Sequence, residues 1–137
     1  MQSKCISALI TGLSLMVVAT AVFAHHGRAA YGTNVVSFEE ATITEFRFIN
    51  PHTQIYFDVT SEDGEVQQWK AELTAPNRLA RSGWTKTILQ PGDKVKINGH
   101  QAANGSNAMR LIDITLSDGT VLDPWTSGTL PPLPSPE

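Results

Sequence analysis

The chain has 137 residues, a length that allows one domain. Its formal net charge of −3 provides no basic surface for a phosphate backbone and argues against nucleic-acid binding. A domain of this size can bury a sufficient core without cross-links.

Residues 1–24 have the pattern of a secretory signal peptide. A short start containing Lys4 precedes an almost wholly apolar run over residues 6–23, and Val22 and Ala24 occupy the two positions that signal peptidase reads. The pattern predicts cleavage after Ala24, with no stable membrane anchor afterwards. An uncleaved anchor is the alternative, although the apolar run is short for a membrane span. The only cysteine, Cys5, leaves with the signal, so the mature domain depends on core packing.

The mature chain begins with residues 25–39, which are predicted to form an extended arm. From Glu40 the side chains alternate, with Thr44, Phe46 and Phe48 predicted to face inward and Ile43 outward. Further alternation predicts strands over residues 53–60, 66–73, 94–100 and 108–116. A short helix is expected over residues 77–82, capped by Thr74 and ended by Gly83, with Leu79 and Trp84 closing one end of the core.

Three strands, a short helix and two further strands predict an all-β fold with little helix. The order is that of a five-stranded Greek-key barrel of the oligonucleotide/oligosaccharide-binding (OB) type, with the helix between strands 3 and 4. We assign residues 40–123 to this barrel. Residues 124–137 contain five prolines and are predicted to form a disordered tail.

Several motifs together resemble a family of small secreted proteins of Gram-negative bacteria that is known only as a domain of unknown function. The similarity covers most of the mature chain except the tail. It implies a periplasmic domain with the barrel fold, and it implies no activity. The motifs that carry it are Ala24-His25-His26, Asn50-Pro51-His52, Ile55-Tyr56-Phe57-Asp58-Val59, Trp69-Lys70-Ala71-Glu72-Leu73, Pro76-Asn77-Arg78-Leu79, Arg81-Ser82-Gly83-Trp84, Leu89-Gln90-Pro91-Gly92-Asp93-Lys94-Val95, Gly99 and Gly105-Ser106.

The mature N-terminus is the first candidate site. Cleavage after Ala24 gives His25 a free α-amine beside its own imidazole, and His26 adds a second imidazole. Nitrogen donors of this kind suit Cu(II). A specific copper site needs a third nitrogen from the body of the protein, for which His52 is the first candidate and His100 the second. The alternative is that the histidine pair is merely solvated, that His52 bonds a nearby carbonyl in its turn, and that His100 is a surface residue.

A second candidate site lies around the third strand and the helix. Trp69, Glu72, Asn77 and Trp84 combine apolar walls with polar groups, as a small-molecule cleft does. Alternatively, Trp84 plugs the base of the barrel, while Glu72 and Asn77 satisfy the ends of the strand and the helix.

The sequence contains no arrangement of a nucleophile with a general base, so we expect no enzyme activity. We expect a periplasmic binding or accessory module that binds copper through His25, His26 and His52. The alternative is a metal-free scaffold that binds another envelope protein or a small ligand.

Overall fold

The computed structural model describes residues 30–125 of a chain that divides into two units, Met1–Ala30 and Tyr31–Glu137. Within residues 30–125 no helix is long and apolar enough to cross a membrane. This part of the chain is mostly β, and its elements are β1 (Tyr31–Arg47), β2 (Gln54–Thr60), β3 (Val66–Glu72), α1 (Pro76–Arg81), β4 (Lys94–Ala102), β5 (Ala108–Thr115) and β6 (Val121–Leu122).

The first five strands form a sheet that closes into a ring. β1 pairs antiparallel with β2 on one side and with β4 on the other. β3 continues antiparallel from β2, and β5 continues antiparallel from β4. A parallel pairing between β3 and β5 joins the two ends, and β6 extends β5. The predicted order of three strands, a short helix and two further strands is confirmed.

β1 begins earlier than the alternation predicted. It starts at Tyr31, whereas the prediction placed residues 31–39 in an extended arm and began the strand at Glu40. Val35 pairs with His100 and Phe38 with Ile97 of β4, so the second half of the arm is part of the sheet. Most side chains in this half are exposed, which weakened the inside–outside pattern.

The predicted outward orientation of Ile43 is wrong, because its side chain is 1% exposed. The register between β1 and β2 shifts between Ile43 and Glu45, which is the signature of a bulge. An extra residue at a bulge exchanges the two faces of a strand. Ala41 and Ile43 therefore point inward before the bulge, whereas Phe46 packs against the core after it.

The ring encloses one hydrophobic core. Inward positions of β2, β3 and β4 alternate as predicted, and Phe38 of β1 contacts two aromatic rings edge-on, those of Phe57 at 6.0 Å and Trp69 at 4.9 Å between centroids. The buried core residues are Ala41, Ile43, Ile55, Phe57, Val59, Trp69, Ala71, Leu73, Leu79, Trp84, Leu89, Val95, Ile97, Met109, Leu111, Ile114 and Leu122.

α1 lies at the end of this core. Its N-cap is Ala75, without a side-chain cap hydrogen bond, so the predicted cap by Thr74 is wrong. Proline in the first turn needs no amide partner and favours the helix start instead. Gly83 follows the helix with a φ of 83°, which fits its predicted role in ending it. Leu79 and Trp84 are both buried.

Candidate functional site

The turn between β1 and β2 places His52 beside the end of β3. This turn contains a cis peptide bond between Asn50 and Pro51. The backbone N–H of Leu73 donates to the carbonyl of Thr53 at 2.9 Å, and the N–H of Thr53 donates to the carbonyl of Thr74 at 3.1 Å. These bonds continue the β2–β3 ladder beyond its last pair, so the backbone next to His52 is held firmly.

The side chains of Tyr31 and His52 both form hydrogen bonds with the carboxylate of Glu72. The hydroxyl of Tyr31 donates to Oε2 of Glu72 at 3.0 Å. The Nδ1 atom of His52 forms a hydrogen bond with Oε1 of the same carboxylate. We call Tyr31, His52 and Glu72 the Glu72 cluster. The predicted alternative for His52, a bond to a carbonyl in its own turn, is replaced by this longer-range contact.

The environment of the cluster keeps the Tyr31 hydroxyl protonated. Burial, the hydrogen bond to Glu72 and the negative charge of that carboxylate raise the pKa of Tyr31 well above its usual range, and the charge of Arg110 acts weakly in the opposite direction. Tyr31 is therefore a hydrogen-bond donor at neutral pH.

Arg110 lies beside Glu72 on the neighbouring strand of the sheet, and His100 lies beside Arg110 on the next strand. Glu72 of β3 is the register partner of Arg110 on β5, and Arg110 is the register partner of His100 on β4. Register partners lie side by side on one face. His100 was predicted to be a plain surface residue, but it is half-buried, and its Nδ1 is buried without a hydrogen-bond partner in the described structure.

Trp125 covers Arg110. The guanidinium carbon of Arg110 lies 3.8 Å from the centroid of the Trp125 ring, and the indole Nε1 donates to the carbonyl of Leu111 at 2.6 Å. Pro124 is buried. The first two residues of the predicted disordered tail are therefore packed on the body, and the prediction for residues 126–137 lies outside the described residues.

The four predicted cleft residues do not share one surface. Trp69 is 6% exposed and packs on Phe38, whereas Trp84 is 2% exposed and packs near Phe46 at a different place in the core. Asn77 is exposed on α1, and Glu72 belongs to the cluster above. Both indoles belong to the hydrophobic core, whereas the alternative interpretation gave a structural role to Trp84 alone.

The predicted metal ligands fall into two groups. His25 and His26 lie outside the described residues, whereas His52 is part of the Glu72 cluster. Among residues 30–125, no three His, Cys, Asp or Glu side chains gather as a metal-binding group. Within this part of the chain the cluster offers one imidazole held by one carboxylate.

The sequence-based reasoning missed Tyr31, which it placed in the arm. The alternation Val36-Ser37-Phe38-Glu39 was a usable sign that the strand begins before Glu40. Arg110 and Trp125 were also missed, because Arg110 comes beside β3 only through the β3–β5 pairing, and Trp125 comes after the predicted barrel and packs on Arg110.

Tyr31 is expected to make folding stability fall in alkali. A tyrosine ionises near pH ~10 in the unfolded chain, whereas Tyr31 stays protonated to higher pH in the folded protein. Its contribution is therefore complete below pH ~10 and is lost as the pH rises above it. Urea unfolding at several pH values between neutrality and strong alkali measures this decline in wild type and in Tyr31→Phe.

The Tyr31→Phe protein should lack this part of the decline, whereas Tyr56→Phe, which leaves the Glu72 cluster intact, should keep it. Parallel stability curves for wild type and Tyr31→Phe above pH ~10 would contradict the assignment.

Comparison with known proteins identifies the family of this chain. A family model described as a family of unknown function (DUF6152) matches residues 13–110, a range that includes Tyr31, His52, Glu72, His100 and Arg110. Neither a curated protein nor a solved structure matches the chain. Since the match covers well over half of the sequence, the chain belongs to the family of unknown function DUF6152.

Proposed function

We propose that this protein is a non-catalytic binding module of the periplasm, and that it binds Cu(II) through His25, His26 and His52. The observation that carries the proposal is the shared carboxylate of Glu72. Tyr31, the first residue of β1, and His52 are hydrogen-bonded to opposite oxygens of that group. Tyr31 is therefore anchored beside the body histidine that a copper site requires.

Chain length is compatible with this arrangement. An extended chain advances at most about 3.5 Å per residue. The residues between His26 and Tyr31 are few, so the covalent chain allows the His26 imidazole to reach the surface on which Tyr31 begins.

The donor set suits copper. The α-amine and imidazole of His25, the imidazole of His26 and the imidazole of His52 are nitrogen donors, which Cu(II) prefers in a tetragonal arrangement. The amine must lose its proton to bind, and its pKa is near ~8, so affinity should rise as the pH increases through neutrality.

The proposed location supports the same assignment, whereas the proposed fold describes only the scaffold. The pattern of residues 1–24 supports export and cleavage after Ala24, which would create the free amine of His25. The strand order around the ring, β1-β2-β3-β5-β4, with a helix between β3 and β4, supports an OB-like Greek-key barrel. Such a barrel is a scaffold on which many binding functions occur, so the copper assignment depends on the histidines and not on the fold.

A second candidate function is protein binding without metal. Trp125 is 38% exposed, is stacked on Arg110 and is followed by the rest of the proline-rich tail, residues 126–137. Tryptophan and arginine are enriched at the centres of protein interfaces. This surface supports a scaffold that binds another envelope protein, whereas the burial of Trp69 and Trp84 gives little support to the small-ligand version.

A competitive Cu(II) titration on mature protein that starts at His25 tests the copper proposal. We expect tight one-to-one binding that is lost when an extra residue precedes His25. His52→Ala should weaken binding by at least about tenfold, a loss of about 1.4 kcal/mol or more. His100→Ala is the matched control and should keep the affinity, because Arg110 stands between it and Glu72 in the sheet register.

Weak binding that does not depend on the His25 amine or on His52 would refute a specific copper site. In that event the protein-binding function becomes the better candidate, and Trp125→Ala together with removal of residues 126–137 tests it by loss of partner capture.

A further inference from the structure

The two oxygens of the Glu72 carboxylate have different partners. Oε2 accepts from the hydroxyl of Tyr31, and Oε1 bonds with Nδ1 of His52. The carboxylate is thus fixed between a residue of β1 and a residue of the β1–β2 turn, while its own backbone is fixed by pairing of β3 with β2 and β5. Glu72 has little freedom to rotate away from His52.

This geometry determines where the proton of a neutral imidazole lies. An ionised carboxylate only accepts hydrogen bonds, so Nδ1 of His52 must be the protonated nitrogen. Nε2 then carries the lone pair. The His52 side chain is 47% exposed and its Nδ1 is bonded to Glu72, so Nε2 is the ring nitrogen that remains for a ligand.

We infer that Glu72 is the positioning residue of His52: it fixes the Nδ1–H tautomer and the ring orientation, and so makes Nε2 a preformed nitrogen ligand. Tyr31 holds the carboxylate in place for this role. The inference deepens the proposed copper function, on which it rests for the identity of the metal. Carboxylates and carbonyls that accept from the second nitrogen of a ligand histidine orient it in this way in metal sites generally.

The first test needs no metal. Long-range ¹⁵N–¹H NMR spectra of the metal-free mature protein at neutral pH distinguish the two tautomers of each histidine. We expect the Nδ1–H form for His52 in wild type. In Glu72→Gln the amide oxygen should accept from the Tyr31 hydroxyl, which leaves the amide nitrogen to donate to Nδ1, so the population should move to the Nε2–H form. Glu45→Gln is the matched control, because Glu45 is an exposed carboxylate paired with Arg47 and lies outside the cluster.

Tyr31→Phe is a second variant that keeps the His52–Glu72 pair and removes only the support of the carboxylate. It should retain the Nδ1–H form with broader His52 signals. Cu(II) titration of the same proteins should show affinity weakened about 10–100-fold in Glu72→Gln and unchanged in Glu45→Gln.

The outcomes separate the inference from the copper function. An Nε2–H tautomer for His52 in wild type overturns the inference, and so does a Glu72→Gln protein with unchanged tautomer and unchanged Cu(II) affinity. The His52 tautomer could instead depend on Glu72 while Cu(II) binding is weak. That result supports the positioning role of Glu72 and overturns the copper function.

Discussion

Replacing Trp84 with alanine is expected to lower the free energy of unfolding by about 3–5 kcal/mol, the usual cost of deleting a large buried aromatic side chain. Trp84 is 2% exposed and belongs to the hydrophobic core just after α1, with its ring 6.4 Å from that of Phe46 between centroids. A small domain has only about 5–15 kcal/mol of stability in total. The Trp84→Ala protein should therefore be close to unfolding at room temperature.

Chemical denaturation of wild type, Trp84→Ala and Trp84→Phe measures this effect. Phenylalanine retains most of the apolar volume, so Trp84→Phe should fold and cost less than the alanine variant. Trp125→Ala is the matched control, because Trp125 contributes one hydrogen bond and one stack at the surface and its removal should cost about 1–2 kcal/mol. An equal decrease in the free energy of unfolding for the two alanine variants would show that Trp84 contributes no more to stability than a surface tryptophan.

Gly99→Ala is expected to destabilise the protein by about 1–3 kcal/mol through overpacking. Gly99 is buried on β4, where a Cβ atom would overlap the side chain of Met109 and would lie 2.8 Å from the carbonyl oxygen of Arg110. The Met109 side chain can move, but the carbonyl of Arg110 belongs to β5 of the closed ring. Shortening Met109 should therefore not restore the stability of Gly99→Ala.

Gly32→Ala provides the comparison for this prediction. Gly32 also lies in a strand, but the nearest atom to a Cβ there would be the carbonyl oxygen of Gln101 at 3.6 Å, an ordinary contact. Alanine loses less backbone entropy than glycine on folding, so Gly32→Ala should be neutral or slightly stabilising. Thermal unfolding of the two variants side by side measures the difference, and a Gly99→Ala protein as stable as Gly32→Ala would disprove the close approach.

The Glu72 cluster shows why the candidate site was only partly predictable. His52 and Glu72 were each selected from the sequence, but for different sites, because no local pattern indicates that they touch. Their contact requires the β2–β3 register, and the contact of Tyr31 requires the first strand to begin well before Glu40. Both are pairings between residues distant in the chain, which composition and periodicity do not encode.

The sequence alone determined the type and order of the elements. Alternation of apolar side chains has a period of two whatever the strand pairs with, so β2, β3, β4 and β5 were placed within a few residues of their ends. The glycine and proline signals of α1 and the turns also act locally, through allowed backbone angles. These features follow from the nearest neighbours in the chain.

Only the tertiary structure decided which faces and side chains meet. The bulge after Ile43 exchanged the inward face of β1, and the parallel pairing of β3 with β5 placed Arg110 beside Glu72. The burial of Trp69 and Trp84 and the sharing of one carboxylate by Tyr31 and His52 depend on the same closure. The physical reason is that a closed ring must satisfy every strand edge at once, a condition that no single segment of the sequence contains.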